Sequence, residues 1–438
     1  MLNRWLFKHI DNSALSIFRV FFGLLITLES FGAIATGWVR QTLIKPEFTF
    51  SFIDFEWLQP LPGMWMYAYF CVMGIFGIGV MLGYKYRASI IAFTILWAGV
   101  YFMQKSSYNN HYYLLVLLNL FMCVLPANRY FSLDVKQDPS LIKHSMQRWC
   151  SLIIIAQMTI VYTYASIAKI YPDWLDTTVM EIFMRSKKEY YVIGDLLQQK
   201  WLHYLLAYGG ILFDLLIIPL LLWKPTRKWA FISAIIFHLF NSIVFQIGIF
   251  PYMSLALCVF FFPTKTIQKL FFKNKTYYEE AEVVVPTYKS LIVAVFGLYF
   301  IVQIGLPLRH WLIKDNVLWT EEAHRLSWRM MLRSKSGIAH YAVIDKETSE
   351  KTIIKLDDYL TKKQKGIASS KPDAIWQFAQ RLKQKFADKG KDVEVYVDCR
   401  ISVNNRPLKQ LIDPKLDLAS VKWDAFKHSD WILPSNLD

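Results

Sequence analysis

The chain alternates between long apolar runs and short polar connections. Nine runs read as spans: residues 14–36, 63–83, 88–104, 112–126, 150–169, 203–223, 229–247, 250–263 and 288–308. A bilayer core takes about 20 helical residues, so repeated segments near this length indicate a polytopic helical membrane protein. Residues 247–253 read as a tight turn between the seventh and eighth spans. Beyond residue 308 the period changes. Residues 339–345 and 352–356 flank a polar turn, the pattern of a hairpin. Pro372 opens an amphipathic helix with Ile375, Phe378, Ala379, Leu382 and Phe386 on one face. Val393–Val403 alternates over eleven residues, and 361–371, with Lys362, Lys363 and Lys365, reads as a solvated loop. The expected architecture is a transmembrane helical domain carrying the active site over residues 1–308, followed by an α+β domain over 309–438.

Composition narrows the class. The 438 residues are 55% hydrophobic with 32 Phe, 24 Tyr and 16 Trp, which excludes a disordered chain and an ordinary soluble enzyme. A net charge of +15 raises the question of nucleic acid. In a membrane protein it has a simpler source, since Lys and Arg collect on cytoplasmic loops. With the amino terminus inside, sixteen Lys and Arg fall on inner segments and eight on outer ones. Nine spans then put the tail outside the cytoplasm, so membrane lipid is a partner and nucleic acid is not. The start, Met1 to Lys8, shows no cleavable signal, and the first span is expected to act as its own insertion signal. Cys71, Cys123, Cys150, Cys258 and Cys399 have no ligand spacing, so neither a disulfide framework nor a zinc site is expected.

The informative residues are the polar ones inside or beside apolar runs, because ionisable groups at membrane depth are expensive and mark function by default. Lys169 closes the fifth span, and Asn110 and His111 open the fourth. Burial strips hydration from an ammonium and favours the neutral amine, which can act as a base. His238 lies about 13 Å below the outer end of the seventh span at helical rise. Asn241 and Gln246 share that outer half, and Asp214 sits in the sixth span. Each has an ordinary reading as well: a snorkelling lysine, a packed histidine, an Asn109-Asn110 cap, an aspartate paired across helices. By spacing alone the chain presents an outward-facing polar cavity within a helical bundle.

At these residues the chain resembles the vitamin K-dependent gamma-glutamyl carboxylase family, in a short, bacterial-type form. The matching pieces run in order: Phe18-Arg19 with Phe22-Gly23, Met81 to Arg87, Asn109 to Leu114, Ala127 to Tyr130, and Ala168 to Trp174. Gly209-Gly210 with Asp214, Phe237 to Ser242 and Gly248 to Tyr252 follow. The tail adds Ser327 to Met331, Val397-Asp398, Ser402 to Arg406 and Ile412 to Pro414. The resemblance implies nine transmembrane helices with an extracytoplasmic α+β domain. It also implies a reaction: vitamin K hydroquinone, as phylloquinol or menaquinol, is oxygenated by O2 to the epoxide. The strong base so formed removes a γ-proton from a protein glutamate, which adds CO2. No side chain is basic enough for that proton at neutral pH, so quinol oxidation must supply the energy.

By the same resemblance, Lys169 is the catalytic lysine that deprotonates the hydroquinone. Asn110 and His111 line the carboxylation centre, His238 is a further active-site histidine, and Met330 and Met331 contribute to the quinone pocket. The chain departs from vertebrate members at Ala168, where they carry a second lysine, at Arg329, where they are acidic, and at Arg333-Ser334-Lys335. Gln380-Arg381 stands in place of their tail-helix cysteine, and no long extension follows Pro434. The departures concentrate where a Glu-containing peptide would bind. Two other readings therefore stand beside the carboxylase: a quinol epoxidase without peptide carboxylation, and a membrane transporter or binding protein. Against transport, the chain shows no repeated halves and no pair of Gly/Pro-broken spans.

Overall fold

The computed structural model describes residues 2–436. Seven helices are long and apolar enough to cross a membrane: α1 Ser13–Ala35, α2 Trp65–Leu82, α3 Tyr86–Met103, α5 Trp149–Ile167, α6 Lys200–Leu222, α7 Arg227–Phe245 and α9 Lys289–Trp311. The two remaining runs of the nine expected spans take a shorter and a broken form. The fourth run forms α4, Asn110–Val124, only 15 residues long, which at helical rise covers about 22 Å of a core near 30 Å. The eighth forms a broken pair, α8 Phe250–Phe261 and a second arm Thr264–Phe271, bent by 120°. Pro263 sits at the break, where a missing N–H cannot continue the helix. Counting the pair as one span gives eight, and α4, with Asn110 bonded to the Arg329 carbonyl at one end and Ala127 following it to Arg19 at the other, is the ninth apolar helix.

Two groups of contacts define the two faces of the bundle. On one, β1 (His9–Asp11) pairs antiparallel with β2 (Ser145–Gln147), and Lys8 bridges to Val283. Arg19, fully buried in α1, donates to the carbonyls of Ala127 at 3.1 Å, Val80 at 3.0 Å and Phe131. It ties the end of α2 to the chain after α4. A Cβ on Gly23 would stand 2.3 Å from the Met81 nitrogen, so α1 and α2 approach closely only because this position is glycine. These segments are the basic ones that the charge pattern puts inside.

The opposite face carries the extracytoplasmic domain. Its sheet has the order β4-β3-β5-β6, antiparallel throughout, from β3 (Lys335–Asp345), β4 (Lys351–Ile354), β5 (Val393–Val403) and β6 (Lys409–Gln410). Alternate residues of β5 from Val393 to Val403 are buried against α11 (Pro372–Ala387), as the period-2 pattern predicts. The reading of 361–371 as a loop is corrected. Lys362–Ala368 forms α10, started by a capping box in which Thr361 and Gln364 exchange side-chain and backbone hydrogen bonds. Gln364 then turns inward and donates to the Phe48 carbonyl at 2.7 Å.

The domain is fastened to the bundle by buried charge. Asp173, after α5, accepts from Asn404 at 2.7 Å and from both ends of the Arg406 guanidinium at 2.6 and 2.7 Å. Asp373 pairs with Lys105 at 2.7 Å and Arg325 at 2.5 Å. Burial alone would raise the Asp373 carboxyl, but Arg325 and Lys105 hold it well below the usual carboxylate range. Asp373→Asn strands two buried cations and is expected to cost about 3–5 kcal/mol in thermal or denaturant unfolding. A depressed carboxyl contributes stability above its unfolded value and loses it as pH falls through the folded one. The wild-type protein should therefore weaken on acidification below about pH 4, and the Asn variant should show less of that slope. A reporter fused after the last residue should be extracytoplasmic and one near Lys136 cytoplasmic; the same side for both would overturn the arrangement.

Candidate active site

Lys169 lies in the turn that ends α5, its N–H donating to Ser166 at 3.0 Å. The side chain runs back along the helix. Nζ donates to the Ala165 carbonyl at 3.2 Å and to Oδ2 of Asp214, midway along α6, and stands 5.6 Å from the Trp174 ring centre. Lysine and aspartate are both buried. Trp174 donates from its indole to the Ala207 carbonyl at 3.1 Å, clamping the chain after α5 against α6. The two polar residues that looked separate in sequence are one pair.

The histidines form a second group. Tyr162 precedes Lys169 by two helical turns, which puts both on one face of α5. Its hydroxyl is 2.9 Å from Nε2 of His238. Phe213, Phe237 and Phe250 surround that imidazole edge-on, with ring centres at 5.7, 5.4 and 5.9 Å. His111 stacks on Phe250 at 4.6 Å and 24°. Phe250 thus contacts both imidazoles, and Nδ1 of each is buried with no hydrogen-bond partner among the described residues. Buried orphan nitrogens are rare enough to require a reason, and a polar ligand atom is one.

Asn110 ties the start of α4 to the segment after α9. Asn109 is the helix cap, accepting from the Tyr112 N–H at 2.8 Å. Asn110 Nδ2 donates to the Arg329 carbonyl at 2.9 Å and its Oδ1 accepts from Tyr108 at 2.9 Å. The Tyr108 oxygen in turn accepts from the Leu326 N–H at 2.8 Å. The segment so held is irregular. Glu321, Ala323, Leu326, Trp328 and Met331, none of them glycine, all adopt left-handed φ between 50° and 61°. Such residues cost on the order of 1 kcal/mol each and persist where surrounding contacts over-determine them, commonly at functional sites. Trp328 is fully buried and stacks on Tyr113 at 4.9 Å. Met330 packs half-buried against the bundle core, whereas Met331 is 38% exposed.

Two cavities flank these groups, and neither is lined by Lys169, His111 or His238. A cleft of about 570 Å³ lies between Tyr164–Asp173, the end of α9 and the tail residues Ser327, Arg329 and Arg406. A pocket of about 280 Å³ between α1, α2 and α3 is lined by Trp38, Phe70, Trp97 and Tyr101, with Glu29 at its edge. Glu29 accepts from Tyr112 at 2.8 Å. Above the cleft, Glu321 is shared by Arg333 and Lys335; burial would raise its carboxyl, but the two cations hold it well below the usual range. Burial outweighs Glu321 at Lys335, whose ammonium is pushed down to about 8. The sequence reading passed over Glu29, Tyr162 and Phe250. Glu29 was available as a carboxylate inside the first span; Tyr162 was available by its spacing from Lys169.

Residues 7–265 match the family model of the HTTM domain, and residues 288–438 match that of the vitamin K-dependent gamma-carboxylase lumenal domain. The second match includes the last span with the α+β domain. No solved structure matches the chain.

Proposed function

The chain belongs to the gamma-glutamyl carboxylase family, and from that membership we propose that it is a vitamin K-dependent carboxylase of protein glutamate. The proposal assigns the chemistry to residues 1–308 and the covering of the site to residues 309–438. Reduced vitamin K, when bound, supplies the oxidation by O2 that generates a base strong enough to take the γ-proton of glutamate, whose carbon then adds CO2.

The observation that carries this reading is the buried Lys169–Asp214 pair beside two aromatic-walled imidazoles with unpartnered nitrogens. An ammonium cannot accept a proton. Transfer along the hydrogen bond to Asp214 leaves a free amine beside a neutral acid, with the net charge of the pair unchanged. Nζ then accepts one proton, and the pair ends as an ammonium beside a carboxylic acid. Lys169 is thereby the proton acceptor and Asp214 the positioning residue that makes it one. The His238 Nδ1 provides polar contact for a quinol head in an otherwise apolar wall, and His111, stacked on the same Phe250, offers its Nδ1 to the carboxylation step. Asn110 fixes the Arg329 backbone over this wall and keeps one amide N–H for charge developing beneath it. Met330 closes the side facing the bundle, and Met331 its outer rim.

Purified protein given vitamin K hydroquinone, O2 and labelled bicarbonate, with and without a Glu-rich peptide, tests the proposal. Epoxide together with label in the peptide is the expected result. Epoxide with no label identifies a quinol epoxidase without the peptide half, the reading that the departure at Arg333-Ser334-Lys335 favours. Neither product leaves a transporter or binding protein.

A further inference from the structure

Three buried carboxylates under the extracytoplasmic domain hold five cations. Arg325 and Lys105 share Asp373, Arg333 and Lys335 share Glu321, and Arg406 is held by Asp173. Arg329 differs. It is 9% exposed and lines the cleft of about 570 Å³. Among the described residues no carboxylate lies within ion-pair distance of it, and its Nε is buried without a partner. Its one side-chain hydrogen bond among the described residues is to His310, whose Nε2 is 3.3 Å from Nη1. The other His310 nitrogen, Nδ1, is 2.7 Å from the Pro307 carbonyl. A proton on Nδ1 satisfies that carbonyl and leaves Nε2 as the acceptor, so His310 orients the guanidinium without neutralising it.

The two carboxylates that line the cleft are already occupied. Asp173 belongs to Arg406 and Asn404, and Asp315 accepts from the Asn316 N–H at 2.6 Å and the Ser435 N–H at 2.7 Å. Burial, with Arg333 nearby, pushes the Arg329 guanidinium down to about 10, consistent with a charge that lacks a counter-ion. A buried cation left alone is costly, and a guanidinium offers a forked set of donors that matches a carboxylate.

We propose that Arg329, oriented by His310, is the docking cation of a carboxylate site in this cleft, and that its ligand is an acidic side chain of the peptide substrate. The cleft volume lies in the range that holds a side chain with adjoining backbone. The Arg329 backbone is tied to Asn110, the chain neighbour of His111. The identity of the ligand as a peptide rests on the carboxylase reading; the anion site does not.

The test uses full-length purified protein and three probes: a Glu-rich peptide, the same peptide with Gln for Glu, and sodium acetate. The Glu peptide should raise the melting temperature and the Gln peptide should not. Arg329→Met should melt no lower than wild type without ligand and lose the Glu-specific shift. Peptide KM should rise about 10- to 100-fold, more than kcat falls, as expected for loss of a charge-assisted hydrogen-bonded pair. Arg329→Gln provides the same comparison if the Met variant does not fold. An equal shift with Gln peptide, or a retained Glu preference in either variant, overturns the site. A shift with acetate but none with Glu peptide overturns the peptide ligand. Glu-specific binding lost in the variants without any carboxylation defeats the carboxylase reading alone, whereas carboxylation with unchanged peptide KM defeats the site alone.

Discussion

Lys169→Ala is expected to abolish epoxide formation by purified protein, a loss of about 100-fold to 10,000-fold, the range in which a positioned base contributes. The substitution also breaks a buried ion pair, and a stranded Asp214 carboxylate would cost about 3–5 kcal/mol. Loss of activity by unfolding must therefore be separated from loss of a base. Lys169→Met combined with Asp214→Asn removes both charges together, so it should melt near wild type and still form no epoxide. Small exogenous amines should restore part of the rate to Lys169→Ala, because the aspartate that receives the first proton is still present. Lys169→Arg should not restore it, since a guanidinium does not give up its proton usefully in a protein. Normal epoxidation by Lys169→Ala would remove the lysine from the chemistry.

How far the site was legible in the sequence follows from what each residue contrasts with. Lys169 and His238 stand out because a charge or an imidazole is improbable in an apolar run. Asp214 stands out for the same reason, but its partner is 45 positions away and only the packing of α5 on α6 joins them. Tyr162 had no such contrast, being one of 24 tyrosines in a chain whose aromatics read as core and interface. Phe250 is a similar case, one ring among 32 phenylalanines, meaningful only once two imidazoles pack on it.

The domain gave the reverse pattern. The β5 strand and the Pro372–Ala387 helix were legible to their ends because burial on one face imposes a strict period. Lysines masked the Thr361–Gln364 capping box in the stretch before them. The resemblance was legible as an ordered series of short pieces, and the structure shows why the pieces are separate. Arg19, Met81 and Ala127 meet at the inner end, whereas Asn110, Trp328, Asp173 and Arg406 meet at the outer one.

His111→Ala should lower carboxylation about 100-fold to 1000-fold and epoxidation far less, the loss expected when one placed polar contact to developing charge is removed. His111 stacks on Phe250, whereas His238 meets that ring edge-on and is bonded to Tyr162 on the face of α5 that ends in Lys169. That difference in partners is the basis for assigning Lys169 and His111 to different halves of the reaction. The imidazole makes no hydrogen bond through Nδ1 among the described residues, so its removal leaves no protein group unpaired and costs mainly its stack on Phe250. A ring contact of that kind is worth about 1 kcal/mol, too little to unfold the bundle. The decisive quantity is the ratio of carboxylated peptide to epoxide, because a partly unfolded preparation lowers both in proportion. A tenfold or larger fall in that ratio fits a histidine acting at the carboxylation step. An unchanged ratio with both products reduced would assign His111 to the initial oxygenation and overturn the division of labour between it and Lys169.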